Sequence, residues 1–166
     1  MEKQIVWTTM ATPLGPLTIG ASEAGVCRVG FGEEGEGPEN CGCSREKAEA
    51  ILAKAQKQLA EYMEGKRKEF DLPLCAEGTD FQKRVWKELC RIPYGETRTY
   101  GQIAALVGNP KASRAVGMAN HNNPIGIIVP CHRVIGSNGK LTGYAGGLDK
   151  KEGLLKLEQR NREPQK

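Results

Sequence analysis

"TYGQIAALVGNPKASRAVGMAN", Thr99 to Asn120, holds two short helix-forming runs split by Gly108, Asn109 and Pro110. Thr99 and Gln102 have the spacing of a capping box, in which each side chain satisfies a backbone N–H that the first helical turn leaves open. "IAALV" supplies the apolar residues that follow, and Gly108 stops the run because glycine takes the left-handed conformation that ends helices. Asn109 can cap a further helix with Pro110 in its first turn, where a missing N–H costs nothing. Two short helices joined by such a breaker have the length and chemistry of a helix-turn-helix.

The second helix of the pair is notable for small residues. One side offers Ala112, Ala115, Val116 and Ala119; the remainder offers Lys111, Ser113, Arg114 and Met118. A helix so built can approach another surface closely, with Arg114 as its one long cation after the first turn. A tightly packed core helix with a solvated arginine accounts for the same residues equally well.

Upstream, Thr79 with Gln82 repeats the capping box before Phe81, Val85, Trp86, Leu89 and Ile92, an apolar stripe at helical spacing. The texture changes around "CAEGTD", so a domain boundary is expected between about residues 74 and 79, giving domains 1–76 and 77–166. Before it, "QIVWTTM", "PLTIGAS" and "GVCRVGF" are β-rich runs separated by Pro and Gly, which predicts an antiparallel meander. "GEEGEGPENCGCS" lacks any periodicity and reads as a loop. Ile51, Leu52, Ala55, Leu59, Tyr62 and Met63 restore helical spacing, and "EFDLPL" is a candidate further strand.

Downstream, "IIVPCHRVIG" sets a cysteine and a histidine between aliphatic runs that read as buried strand. A cysteine in such a place is usually an inert small hydrophobe, the reading that suits Cys27, Cys75 and Cys90. Cys131 differs in its neighbours: Pro130 makes a rigid entry, and His132 and Arg133 bring basic groups. Free cysteine ionises near a pKa of roughly 8.5 and reacts as the thiolate, so an adjacent base turns it into a reagent. A histidine so used is generally oriented by a third group. Glu158 is a candidate, because in "EGLLKLEQR" it shares a helix face with Leu154 and Leu155. A solvated glutamate fits that periodicity too.

The composition narrows the classes. Of 166 residues, 39% are hydrophobic, enough for a sizeable core. Apolar runs fall far short of the roughly 20 residues that cross a bilayer, and "MEKQIVWTTM" has no signal-peptide core. A cytoplasmic location is expected, nuclear in a eukaryote, with the six cysteines as free thiols. Residues 1–77 carry 9 Lys and Arg against 13 Asp and Glu, while residues 78–166 carry 15 against 7. Net charges of −4 and +8 suit a polyanion binder that works through its second half, or simply a solvated basic face.

Two motifs are set aside. "GFGEEG" (Gly30, Gly32, Gly35) has the letters of a dinucleotide fingerprint, but Glu33, Glu34 and Glu36 repel phosphate and no helix follows at once. Cys27, Cys41 and Cys43 lack the usual zinc-ligand spacing, and both histidines lie in the other half, so no metal is expected. "NGKLTGYAGG" is either a β-turn wing beside the helix-turn-helix or a loop that lets a ligand approach the backbone.

Taken together, "PCHRV", "RAVG" with "AN" and "NNP", and "GYAGG" closely resemble the O6-alkylguanine-DNA alkyltransferases, from about Phe81 to Glu158. "TPLGPLTIGASEAGVCRVGF" is similar, more loosely, to that family's N-terminal domain. The resemblance implies an α/β (α+β) chain: a small ribonuclease-H-like domain, then a winged helix-turn-helix domain carrying the active site. It implies a monomer that binds double-stranded DNA through the minor groove, without a cofactor. The protein would move an alkyl group from guanine O6 to its own cysteine, irreversibly and once, with O4-alkylthymine as a further substrate to be tested.

By that resemblance Cys131 is the alkyl acceptor, His132 the base acting through a water, and Glu158 the carboxylate orienting it. Asn123 matches the hinge asparagine. Tyr100 matches the tyrosine at the target phosphate and base. Arg114 matches the arginine that replaces the extruded nucleotide, with Ala112, Ser113, Ala115 and Met118 beside it as DNA contacts. Tyr144 and the backbone at Val134 and Ala145 would line the base pocket. Thr99 stands where many members have serine, and the zinc ligands of some members have no clear counterparts. A non-enzymatic branch replaces the acceptor cysteine, which is present here.

Two other classes explain part of the pattern. A cysteine hydrolase accounts for Cys131, His132 and Glu158 but turns over. A transcription regulator accounts for the helix-turn-helix and the charge asymmetry but not for a thiol among aliphatic residues.

Overall fold

The computed structural model describes residues 5–32, 45–136, 138–139 and 147–161. The chain divides into two compact units, Met1–Glu77 and Gly78–Lys166.

The first unit holds the expected meander: β1 (Val6–Met10), β2 (Leu17–Ser22) and β3 (Gly25–Phe31), antiparallel in that order. The middle strand is buried along its whole length. Its register slips by a bulge between Gly20 and Ala21, and a β-carbon at Gly20 would stand 2.8 Å from the Trp7 ring, so only glycine lets that indole lie on the sheet. Helix α1 (Arg45–Met63) buries Ala55, Leu59, Tyr62 and Met63. The "EFDLPL" segment forms a single parallel bridge, Leu74 with Val26, in place of the expected strand. Val26 N–H donates to the Pro73 carbonyl and the Val26 carbonyl accepts from Cys75 N–H, both at 2.8 Å, which completes the one bridge.

The second unit carries α2 (Asp80–Leu89), β4 (Arg98–Thr99), α3 (Tyr100–Leu106), α4 (Ser113–His121), β5 (Val134–Ile135) and α5 (Leu148–Arg160). Both capping boxes form, with Thr79 and Thr99 each accepting from the backbone N–H of Gln82 and Gln102 at 3.1 Å. The core joins Val85, Trp86 and Leu89 to Ile103, Val116, Ile125 and Leu154. Trp86 Nε1 donates to the Ala119 carbonyl at 2.8 Å, fastening α2 to α4.

α3 and α4 are the helix-turn-helix pair, separated by Gly108 at φ +87°. The sequence expectation for α4 needs one correction: it begins at Ser113, and Asn109 is not its cap. The Asn109 carbonyl instead closes a separate turn by accepting from Ala112 N–H at 2.9 Å, and Ala112 leads into the helix without a side-chain cap. On α4, Val116, Ala119 and Asn120 are buried, while Arg114, Ala115 and Met118 face outward, so Ala115 sits on the opposite side from the one its neighbours suggested.

The run before Cys131 is also not a strand. Ile127 has φ +70° and is buried, and Ile128 N–H donates to the Gly126 carbonyl at 2.8 Å, which makes a γ-turn about a β-branched residue. A second γ-turn follows at Pro130 (φ −80°, ψ 64°), where Cys131 N–H donates to the Val129 carbonyl at 2.7 Å. Two such turns coil the aliphatic residues, which is why their β-branched composition misleads. β5 shares only two residues with β4, in parallel. Ser137 and residues 140–146, which include most of the expected wing, lie outside the described residues.

Candidate active site

Cys131, His132 and Arg133 form one turn of 3-10 helix between Pro130 and β5. All three are buried, with His132 fully so and Cys131 at 5% exposure. The turn is held from three sides. Asn123 Nδ2 donates to the carbonyls of Ile125 (3.3 Å) and Val129 (2.9 Å), while its Oδ1 accepts from Ile125 N–H at 3.0 Å. Asn120 Nδ2 reaches the Cys131 carbonyl at 3.3 Å. From the other side, α5 presents Glu158.

Glu158 is fully buried, so the solvated alternative is excluded. Its Oε2 lies 2.6 Å from His132 Nε2 and accepts from Arg133 Nη2 at 3.0 Å; its Oε1 accepts from Arg133 Nε at 2.9 Å and from Gly95 N–H at 3.1 Å. Arg133 also donates to the Ile92 carbonyl at 2.6 Å and lies over the Tyr94 ring. Burial by itself would raise the carboxyl, but the hydrogen bonds and charges of His132 and Arg133 prevail and hold it at about 2. Burial dominates at His132 and lowers it, with Arg133 adding to the effect and Glu158 opposing it. The pair is therefore a neutral imidazole against an ionised carboxylate.

That charge state fixes the tautomer. An ionised carboxylate can only accept, so Nε2 carries the proton and Nδ1 carries the lone pair. Among the described residues, Nδ1 is buried and has no hydrogen-bond partner. It is a base without a client. Next to it in the chain is the Cys131 thiol, which burial pushes up and which the Asn123 side chain, the Lys151 charge and the backbone N–H groups of Cys131 and His132 pull back down.

Tyr100 and Arg114 belong to a different feature. Tyr100, Gly101, Ser113, Arg114, Gly117 and Met118 line a groove of about 530 Å³ between α3 and α4. The Tyr100 ring lies against α4 at Gly117, where a β-carbon would meet it in ordinary contact at 3.9 Å. Cys131 is not among its walls. Val134 is fully buried, and its N–H donates to the Cys131 carbonyl. Ala112 flanks the start of α4, and Tyr144 and Ala145 lie outside the described residues. Cys27 is buried in β3, whereas Cys41 and Cys43 also lie outside them.

The structure brings together Cys131, His132, Glu158 and Asn123, and adds Arg133, which the sequence offered only as a basic neighbour of the thiol, and Lys151, to which it gave no role. The signal for Lys151 was present, since it precedes Leu154 and Glu158 on the face whose periodicity identified Glu158. No local pattern announces that Arg133 turns inward.

Comparison with known proteins gives independent matches. The model of the "6-O-methylguanine DNA methyltransferase, ribonuclease-like domain" matches residues 5–76, and that of the "6-O-methylguanine DNA methyltransferase, DNA binding domain" matches residues 80–160. A methylated-DNA–protein-cysteine methyltransferase of Methanosarcina acetivorans is 56% identical over 89% of this chain and 94% of its own. The crystal structure of the Mycobacterium tuberculosis O6-methylguanine methyltransferase is similar with a TM-score of 0.82 and 46% identity, covering 96% of this chain and 95% of that one. The M. tuberculosis OGT solved in complex with DNA gives 0.81 and 45%, covering 93% of each.

Proposed function

This chain belongs to the 6-O-methylguanine DNA methyltransferase family, and from that premise we propose that Cys131 is the acceptor in a single-use repair of O6-alkylguanine in duplex DNA. The observation that carries the reading is the buried imidazole beside the thiol, fixed by Glu158 with Nδ1 left as its basic atom.

The chemistry follows from this arrangement. Cys131 gives its proton to His132 Nδ1 by way of a water, and Glu158 stabilises the imidazolium that forms. A thiolate lone pair then makes the S–C bond as the C–O6 bond breaks, its electron pair remaining on guanine. The guanine regains neutrality by taking up one proton, the same count that Cys131 released, and a hydrogen bond from the Tyr100 hydroxyl at N3 eases the build-up of charge. The thioether has no leaving group, so each chain acts once and needs no cofactor.

The alkylated atom faces the partner base while guanine is stacked, so the nucleotide must leave the duplex, at a cost of a few kcal/mol. α4 carries the means. Arg114 is exposed beside the groove that Tyr100 lines, with Ser113, Ala115 and Met118 around it. The guanidinium takes the place of the departed nucleotide, and Ala112 and Ala115 keep the helix narrow enough to approach the sugar-phosphate surface. Val134, Tyr144 and Ala145 form the base pocket in this reading, and the protein acts as a monomer. Among the described residues, no helix is long and apolar enough to cross a membrane.

The test is intact-mass analysis with peptide mapping after incubation with duplex DNA containing O6-methylguanine. One added methyl per chain, on the peptide holding Cys131 and absent from Cys131→Ser, is the expected result. Methyl on another residue, or product beyond one equivalent, contradicts the assignment.

A further inference from the structure

α5 brings a second buried charge to the site. Lys151 is fully buried and lies on the helix face that buries Leu154 and Glu158. The spacing from 151 to 158 is about two turns, so the ammonium and the carboxylate leave the same side of one helix. The Lys151 Nζ stands 5.9 Å from the centroid of the Tyr100 ring, over its face, where a cation is attracted. It also meets Cys131 electrostatically, each favouring the ionised form of the other.

A buried ammonium is expensive. Burial draws Lys151 down to about 8, with Cys131 pulling the other way. A hydrocarbon side chain of similar volume fills such a space without that cost. What the ammonium adds is charge at a defined point. Among the described residues, the titratable and charged groups meeting here include Tyr100 from α3, Cys131 and His132 from the 3-10 turn, Glu158 from α5, and Arg133. Arg133 and Glu158 share two hydrogen bonds, so their fields largely cancel at a distance, and His132 is neutral. The coulombic pull on the Cys131 thiol comes from Lys151.

We propose that Lys151 is a positioning residue of the transfer reaction: its ammonium is the counter-charge that stabilises the Cys131 thiolate, and the Tyr100 ring fixes where that charge stands. This rests on Cys131 being the acceptor. The division of labour is then clear: His132 receives the thiol proton, whereas Lys151 neutralises the anion left on sulfur. When the S–C bond forms, the sulfur loses its charge and with it its attraction to Lys151.

The experiment compares wild type, Lys151→Met and Lys151→Arg in the pH dependence of two reactions, alkylation by iodoacetamide and transfer from free O6-benzylguanine. Neither requires nucleotide extrusion. Lys151→Met is expected to move both profiles to alkaline pH by a unit or more, about tenfold slower at neutral pH, with Lys151→Arg partly restoring them and duplex affinity unchanged. A Lys151→Met profile that keeps its midpoint and loses only amplitude overturns the proposal. Should Lys151→Met fail to fold, NMR of the lysine side chains in wild type and Cys131→Ser decides: the Lys151 midpoint falls in Cys131→Ser if the two charges are coupled, and an unmoved midpoint overturns the idea. Peptide mapping of the methylated site tests the acceptor separately, so failure of that assignment is distinguishable from failure of this one.

Discussion

Glu158 Oε2 lies 2.6 Å from His132 Nε2, while the opposite ring nitrogen, Nδ1, is buried and without a partner among the described residues. One contact thus decides which nitrogen is basic. Glu158→Gln removes the anion that sets this tautomer and leaves Arg133 with one of its two side-chain acceptors, beside the Ile92 carbonyl. Single-turnover transfer from O6-benzylguanine is expected to fall by about 10²–10⁴, and denaturant unfolding to show a loss of about 3–5 kcal/mol. A variant that is destabilised but reacts at the wild-type rate would remove Glu158 from the chemistry.

The pH dependence of stability has a definite sign. Glu158 is held at about 2, so its contribution is complete above the unfolded carboxyl value of about 4.3 and is lost as pH falls toward 2. His132 is lowered in the folded state, so from about pH 6.5 downward the unfolded chain binds a proton that the folded chain refuses, and stability falls. Lys151, near 8, acts at the other end: between about 8 and 10.4 the unfolded chain again holds the extra proton, and stability rises with pH. Scanning calorimetry is expected to show Tm falling in two stages on acidification, with the lower stage diminished in Glu158→Gln.

Asn123 holds a stretch that pays for its shape. Ile127 in the left-handed region costs on the order of 1–3 kcal/mol and persists because the surroundings over-determine it. Asn123→Ala removes the bonds to Ile125 and Val129 and the contact with the thiol. Stability is expected to drop by about 1–3 kcal/mol, and transfer by about 10²-fold as Cys131 loses its placement. Equal transfer rates in Asn123→Ala and wild type would show that the 3-10 turn is positioned without it.

Arg114 is assigned to extrusion, not to chemistry, and it lines a groove that Cys131 does not. Arg114→Ala is therefore expected to slow repair of a paired lesion by about tenfold or more, while free O6-benzylguanine, which pays no unstacking cost, reacts as before. Parallel losses with the two substrates would move Arg114 into the pocket.

The sequence was most informative where capping chemistry is local. Thr79 with Gln82 and Thr99 with Gln102 announced two helices, and Gly108 announced the break between α3 and α4, because each signal is completed within a few residues. It was least informative where a distant partner decides the outcome. Ile127, Ile128 and Val129 had strand composition, yet Asn123 bends them into turns that no residue preference suggests. At the site, periodicity put Glu158 on the buried face and left its partner open; Arg133, hidden by its place beside the cysteine and histidine, supplied it. The resemblance to alkyltransferases named Cys131 and His132 but said nothing of Lys151.

Because α5 is one uninterrupted rod, the spacing of Lys151, Leu154 and Glu158 is set by helical pitch alone. Inserting a residue between 151 and 158 would swing one charge about 100° around the axis relative to the other. The helix is preceded by Gly147, whose φ of +102° and crowded position beside Asp149 mark a corner that only glycine turns freely. Length changes upstream of that corner leave the helix face intact. For anyone grafting this chemistry onto another scaffold, the portable module is the 3-10 turn with the whole of α5, transplanted in register.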